Sequence, residues 1–109
     1  MVLPMIIQND FVGENEIKRE RENARRLRRT NWWNSKLSKG VCYYCNSMVG
    51  RDQLTMDHLV PLSRGGKSRK GNVVPSCKEC NNKKKYLLPV EWDEYLKSLS
   101  EKPMSTTIG

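Results

Sequence analysis

VCYYCNSMVGRDQLTMDHLVPLSRGGKSRKGNVVPSCKECNNKKK, residues 41–85, decides what this chain can fold into. It opens and closes on Cys-x-x-Cys pairs, Cys42 with Cys45 and Cys77 with Cys80, and 31 residues lie between them. Two cysteines at this spacing can turn both thiolates onto one ion. Two such pairs complete a tetrahedral four-cysteine zinc site with no open position, which is a structural site. A disulfide framework or a redox-active pair competes with this reading. Neither a secretory signal nor a thioredoxin-like strand–helix–strand pattern accompanies the cysteines.

The rest of the composition makes a structural metal useful. At 109 residues and 37% hydrophobic content the chain fits one small domain with little core to bury. The net charge of +8 favours a polyanionic partner, either nucleic acid or an anionic membrane surface, although solubility alone would also explain it. No segment is long enough to span a bilayer. The apolar start MVLPMIIQ contains Pro4 and lacks both a basic beginning and a small-residue cleavage site, so a signal peptide is not expected. Free thiols then suit a reducing, cytoplasmic setting.

Around the cysteine block the chain divides into a leader and basic helical extension (1–39), the informative block (40–88), and a C-terminal helix with a disordered tail (89–109). Residues 1–13 read as a short leader. Residues 14–34 lack Pro and Gly and are rich in Glu, Arg and Lys, which predicts a helix. The first half of that helix could be an ordinary solvated surface. Its second half carries Arg25, Arg26, Arg28 and Arg29 beside Trp32 and Trp33 with no acid, a composition suited to phosphate contact. Within the block, residues 40–50 read as a turn between two short strands, 53–61 as a strand, 72–77 as a second extended piece and 78–88 as a helix. The segment from Pro89 predicts an amphipathic helix with Trp92, Tyr95, Leu96 and Leu99 on one face.

Between the cysteine pairs lies the only histidine, His58, directly after Asp57. Asn72 follows in the same loop, and Asn81 comes immediately after the last cysteine. Adjacent helical side chains diverge by about 100°, so Asn81 must point away from an ion held by Cys80. In a regular strand Asp57 and His58 would face opposite ways. Either the strand bends there, or the two act from different sides of one bound group.

The string C-Y-Y-C…T-M-D-H-L-V-P-L-S-R-G-G…G-N-V-V-P-S-C-K-E-C-N-N-K-K resembles the HNH endonuclease family of small ββα-metal nucleases. The resemblance covers about residues 40–85, and the family letters fall on His58, Asn72 and Asn81, the third being Asn where the family name has His. It implies a zinc-stapled α+β domain in which Asp57 and Asn81 hold one divalent ion, His58 is the general base, and Asn72 holds the loop and orients the histidine. It also implies DNA cleavage to 5′-phosphate and 3′-hydroxyl ends. Those residue types suit the reaction. An imidazole can deprotonate water near neutral pH, and two oxygen ligands suit Mg²⁺ or Mn²⁺ better than zinc.

Eleven basic residues and three acids fall between positions 36 and 90. Arg64, Lys67, Lys83 and Lys84 are therefore expected to join the four helical arginines in gripping the DNA phosphate backbone. A single active site nicks one strand, and double-strand cleavage would need a homodimer or two encounters. A non-catalytic zinc module that binds nucleic acid, or a nuclease acting on RNA, are the alternatives. No base-reading motif is evident, and no membrane partner is expected.

Overall fold

The computed structural model describes residues 12–108, with side-chain surroundings given through Ser100. The leader expected at 1–13 therefore lies almost wholly outside the described residues. Six elements organise the rest: α1 (Glu14–Arg28), α2 (Asn31–Ser38), β1 (Leu54–His58), β2 (Val73–Cys77), α3 (Lys78–Lys84) and α4 (Pro89–Ile108). The result is a small α+β domain in which a β-hairpin runs directly into a helix, the ββα order.

Glu14 and Glu16 in the first turn of α1 and Arg25, Arg26 and Arg28 in its last turn complement the helix dipole. One long helix over 14–34 is expected from the sequence, but the chain breaks after Arg28 and a second helix runs to Ser38. Thr30 is the reason. Its backbone is extended, its hydroxyl accepts the Trp33 N–H at 3.2 Å, and the same hydroxyl donates to the Leu27 carbonyl at 2.7 Å. One threonine thus closes α1 and caps α2 without any Pro or Gly.

The strands pair antiparallel in unbroken register, from Leu54 opposite Cys77 to His58 opposite Val73. Pro75 sits within β2 because its missing N–H falls on an edge. Its carbonyl still accepts the Tyr43 N–H at 2.8 Å, which ties the first cysteine turn to the sheet. That turn is held by a single bridge between Val41 and Met48 rather than by two strands. The core is built around sulfur. Cys42, Leu54, Cys77 and Cys80 form the buried cluster, and Leu37, Tyr44 and Val49 pack on it.

At the entry to α4, Glu91 Oε1 accepts the Leu88 N–H at 2.8 Å, half of a capping box, with Pro89 in the first helical position. Trp92 is buried and stands edge-on to Tyr44 at 5.5 Å, so the first turns of α4 pack on the cysteine block. A disordered tail is expected from Glu101, whereas α4 continues to Ile108 through Pro103. A proline removes one N–H from the ladder, and no glycine occurs before Gly109 to end the helix sooner. Among the described residues no helix is long and apolar enough to cross a membrane.

Candidate active site

The four sulfurs of Cys42, Cys45, Cys77 and Cys80 lie within 4.8 Å of one another. Cys45 and Cys77 Sγ are 3.9 Å apart, close to the edge of about 3.8 Å that a tetrahedron of Zn–S bonds requires. That separation is far too long for a disulfide, and all four thiols are free. Cys77 ends β2 and caps α3, and Cys80 sits in the first turn of α3. The hairpin, the helix and the turn at 41–48 therefore converge on one point. The Cys77 N–H also reaches Cys42 Sγ at 3.4 Å, a donor aimed at the charge a bound thiolate would carry. Ser47, through its hydroxyl and its backbone, lowers the Cys45 thiol to about 6, while burial pushes that of Cys80 up. This donor set can hold zinc.

Asp57 and His58 end β1, and the strand does not bend. Asp57 stays opposite Val74 and His58 opposite Val73, so the two side chains leave the strand in different directions. Asp57 is buried, and its Oδ2 accepts from the Tyr44 hydroxyl and lies 3.5 Å from Lys84 Nζ. Burial, reinforced by the Asp57 carboxylate, pushes the Tyr44 phenol well above its usual range, so it stays a donor. His58 turns the other way, and its Nε2 lies 2.9 Å from Ser68 Oγ. Burial holds the His58 imidazole below its ordinary value against the opposing pull of Asp57. This favours the neutral imidazole, the state a base needs.

The loop from β1 to β2 is set by Asn72 and two glycines. Asn72 Oδ1 accepts the Val60 N–H at 2.9 Å, and its Nδ2 donates to the carbonyls of Val60 at 3.1 Å and Lys67 at 2.8 Å. The Leu59 N–H reaches the Asn72 carbonyl at 2.8 Å. With its amide engaged on backbone, Asn72 positions the loop that follows His58. Gly65 has φ of +93°, and a Cβ on Gly66 would lie 1.7 Å from the Val60 carbonyl oxygen. The Arg-Gly-Gly turn is thus required by backbone packing on the residue that Asn72 also clamps.

Asn81 and Lys84, one turn apart on α3, face Thr55 and Asp57, two apart on β1. Asn81 Nδ2 is 3.5 Å from Thr55 Oγ1. Asn81 thus lies across from the Asp57 face of the strand, away from the sulfur cluster. A carboxylate and an amide carbonyl are hard oxygen donors that fit Mg²⁺ or Mn²⁺.

The sequence reading expects Lys84 on the DNA-binding surface, and the structure overturns this. Lys84 is 0% exposed, and its ammonium is consumed by the carbonyls of His58 at 3.2 Å and Leu59 at 3.1 Å together with Asp57. It is a cationic pin behind the strand end. The other expected contacts are accessible. Arg25, Arg26 and Arg28 are exposed on α1 and Arg29 is exposed just after it, with Arg25 bonded to Glu22 at 2.6 Å and Arg26 to Asn23. Arg64 reaches the Tyr86 carbonyl and Glu91 at 3.3 Å, Lys67 lies 3.6 Å from Glu16, and Lys83 lies 3.2 Å from Glu79.

A cleft of about 210 Å³ opens beside the strand end, lined among others by Arg21, Asp57, His58, Ser63 and Lys85. Two of these cations escape the sequence reading as site residues. Lys85 is the neighbour of the lysine expected there, and it turns outward because its φ of 46° ends α3. Arg21 is one exposed arginine among many on α1. Glu20 is missed as well, although a signal exists. It shares the stripe of Ile17, Ala24 and Leu27 that faces the domain, where a carboxylate calls for a buried partner.

Residues 42–93 match the model of the family described as HNH endonuclease. The chain is also 39% identical over 45 residues to "CRISPR-associated endonuclease Cas9" of Actinomyces naeslundii. That alignment covers 40% of this chain and 4% of the relative. The family match runs past residue 88 into α4 and includes the buried Trp92, while α1 and α2 lie outside it.

Proposed function

We propose that this protein is a metal-dependent DNA endonuclease that hydrolyses phosphodiesters to 5′-phosphate and 3′-hydroxyl ends, with a structural zinc held by the four cysteines. One observation carries the reading. Asp57 and His58 leave a regular strand in different directions, yet both are among the residues lining one cleft, together with Arg21 and Lys85. A neutral imidazole there takes the proton of an attacking water. Arg21 and Lys85 attract the phosphodiester and offset charge on its oxygens. Held by Asp57 and Asn81, a divalent cation would supply positive charge to the phosphoryl group and to the leaving 3′ oxygen. Asn72 and the two glycines keep the loop, and with it the histidine, in place. The chain carries one such set of residues, so a monomer nicks, and a homodimer would be needed to cut both strands in one encounter.

The test is incubation with supercoiled plasmid and Mg²⁺ or Mn²⁺, with and without EDTA, with product ends mapped and RNA run in parallel. His58→Ala is expected to lower cleavage by at least about 100-fold, the scale of general base catalysis, with zinc content and DNA affinity kept. Binding without metal-dependent cleavage would make the protein a zinc-stabilised nucleic-acid-binding module instead.

A further inference from the structure

We infer that Ser68 and Glu20 form a positioning relay behind His58, which makes α1, an element outside the family match, part of the active site. The inference rests on the nuclease reading for its catalytic consequence but not for its geometry. Ser68 Oγ has two close partners, His58 Nε2 at 2.9 Å and the backbone carbonyl of Glu20 at 2.6 Å. A carbonyl can only accept, so the single hydroxyl hydrogen of Ser68 is committed to Glu20. Ser68 Oγ can then only accept from the ring. The proton of neutral His58 therefore sits on Nε2, and Nδ1 keeps its lone pair. The opposite tautomer would set two lone pairs against each other at 2.9 Å unless Ser68 abandoned the Glu20 carbonyl.

The same glutamate holds Ser68 a second time. Glu20 Oε1 accepts the Ser68 N–H at 2.7 Å, so backbone and hydroxyl of one loop residue are both fixed by one helical residue 48 positions earlier. Glu20 is only 8% exposed, and Lys67 Nζ stands 4.0 Å from its second oxygen. Ser68 thus cannot drift without breaking both bonds to α1. The chain of contacts runs from Glu20 on α1, through Ser68 in the loop, to the ring that ends β1. It sets both the rotation of the imidazole and which nitrogen is free. Ser68 and Glu20 touch neither substrate nor metal, so theirs is a positioning role.

His58 is the only histidine of the 109 residues, so the ring nitrogens of this chain can be read by ¹⁵N NMR without assignment ambiguity. Wild type is expected to show one protonated nitrogen at Nε2 and one bare nitrogen at Nδ1. Ser68→Ala should give a tautomer mixture and cut kcat by roughly 10- to 100-fold, the scale seen when the hydrogen bond that orients a metal-ligating histidine is lost. KM should stay within about twofold, because no substrate contact is lost. Ser68→Thr, which keeps the hydroxyl, should recover most of both signatures. Glu20→Ala, which loosens the loop but leaves the carbonyl, should fall between. Zinc content and thermal melting confirm that each variant is folded. The relay is overturned if wild-type His58 carries its proton on Nδ1. It is equally overturned if Ser68→Ala keeps both the wild-type tautomer and the wild-type kcat. Should wild type fail to cleave while showing the Nε2–H tautomer, lost in Ser68→Ala, the nuclease reading falls and the relay stands.

Discussion

The cysteine knuckle at 41–48 and the loop at 59–72 both hang from the same two strands, yet they are held in opposite ways. The knuckle has one backbone bridge, Val41 to Met48, and one hydrogen bond to the sheet from Tyr43. Beyond these and the Tyr44 side chain, which reaches Asp57 and Trp92, its placement depends on four sulfurs meeting at a point. The loop has no such point. It is held by three bonds from the Asn72 amide, two from Glu20 and two from Lys84 to the carbonyls where the loop begins. A structure closed at one point fails completely when that point is lost. One closed by many separate bonds fails by degrees, and its failures stay near the site.

The largest effect should therefore come from the knuckle. Cys80→Ser, or removal of metal by a strong chelator, takes away a contribution on the order of 10 kcal/mol. It should unfold the chain as followed by circular dichroism. A chelated protein that stays folded and keeps its melting temperature would show that Leu54, Trp92 and their neighbours suffice, and the contrast between the two regions would vanish.

The next largest effect separates two adjacent lysines. Lys84 is fully buried against Asp57, whereas the side chain of Lys83 is 49% exposed beside Glu79. Lys84→Met leaves the Asp57 carboxylate buried with the Tyr44 hydroxyl alone and should cost about 3–5 kcal/mol. Lys83→Ala should cost less than about 1 kcal/mol. Urea denaturation of both variants checks this, and similar midpoints would mean that Lys84 is not a pin.

Nothing in the run Asn82, Lys83, Lys84, Lys85 marks which lysine turns inward, because burial depends on where the helix meets the strand. The same limit explains the other surprises. The two cysteine pairs and the Asp-His step were legible because their chemistry needs fixed spacings along the chain. The ββα order was legible from the Leu54, Met56 alternation and the Val-rich 73–74 pair. The break at Thr30 was not, since a threonine inside a charged helical run reads equally well as an interior residue or a cap. The pairing of Glu20 with Ser68 was not, since no local pattern joins residues 48 positions apart, although the place of Glu20 on the inward stripe of α1 was there to be read. Gly66 falls between, because the Arg-Gly-Gly turn was visible while the carbonyl it accommodates was not.

Gly66→Ala tests whether loop failures remain local. Its Cβ would overlap the Val60 carbonyl oxygen, which lies beside the Asn72 clamp. The loop must move, at a cost of roughly 2–3 kcal/mol. Cleavage should fall by more than tenfold while zinc stays bound and the chain stays folded. Loss of zinc on this substitution would show that knuckle and loop fold as one unit.

The smallest effect on stability should come from the exposed arginines at the C-terminal end of α1. Arg25, Arg26, Arg28 and Arg29 all stand in solvent, and the one ion pair they make among the described residues, Arg25 with Glu22, is itself exposed. Exposed pairs contribute about 0–1 kcal/mol, so replacing all four by Ala should leave the urea midpoint nearly unchanged. If each contacts a phosphate, the same variant should lose about 3.6 from the log–log salt slope of DNA affinity, 0.9 for each arginine. The buried face of that helix carries Glu20 and so the His58 relay. The exposed face can weaken binding without altering the cleavage rate of bound DNA only if the two faces act independently. Binding titrations over salt, paired with single-turnover cleavage at saturating protein, measure the two separately. An unchanged salt slope would remove the helix from the DNA-binding surface. A bound-state rate that falls in step with affinity would mean that DNA seated on the outer face of α1 is what sets its inner face against Ser68.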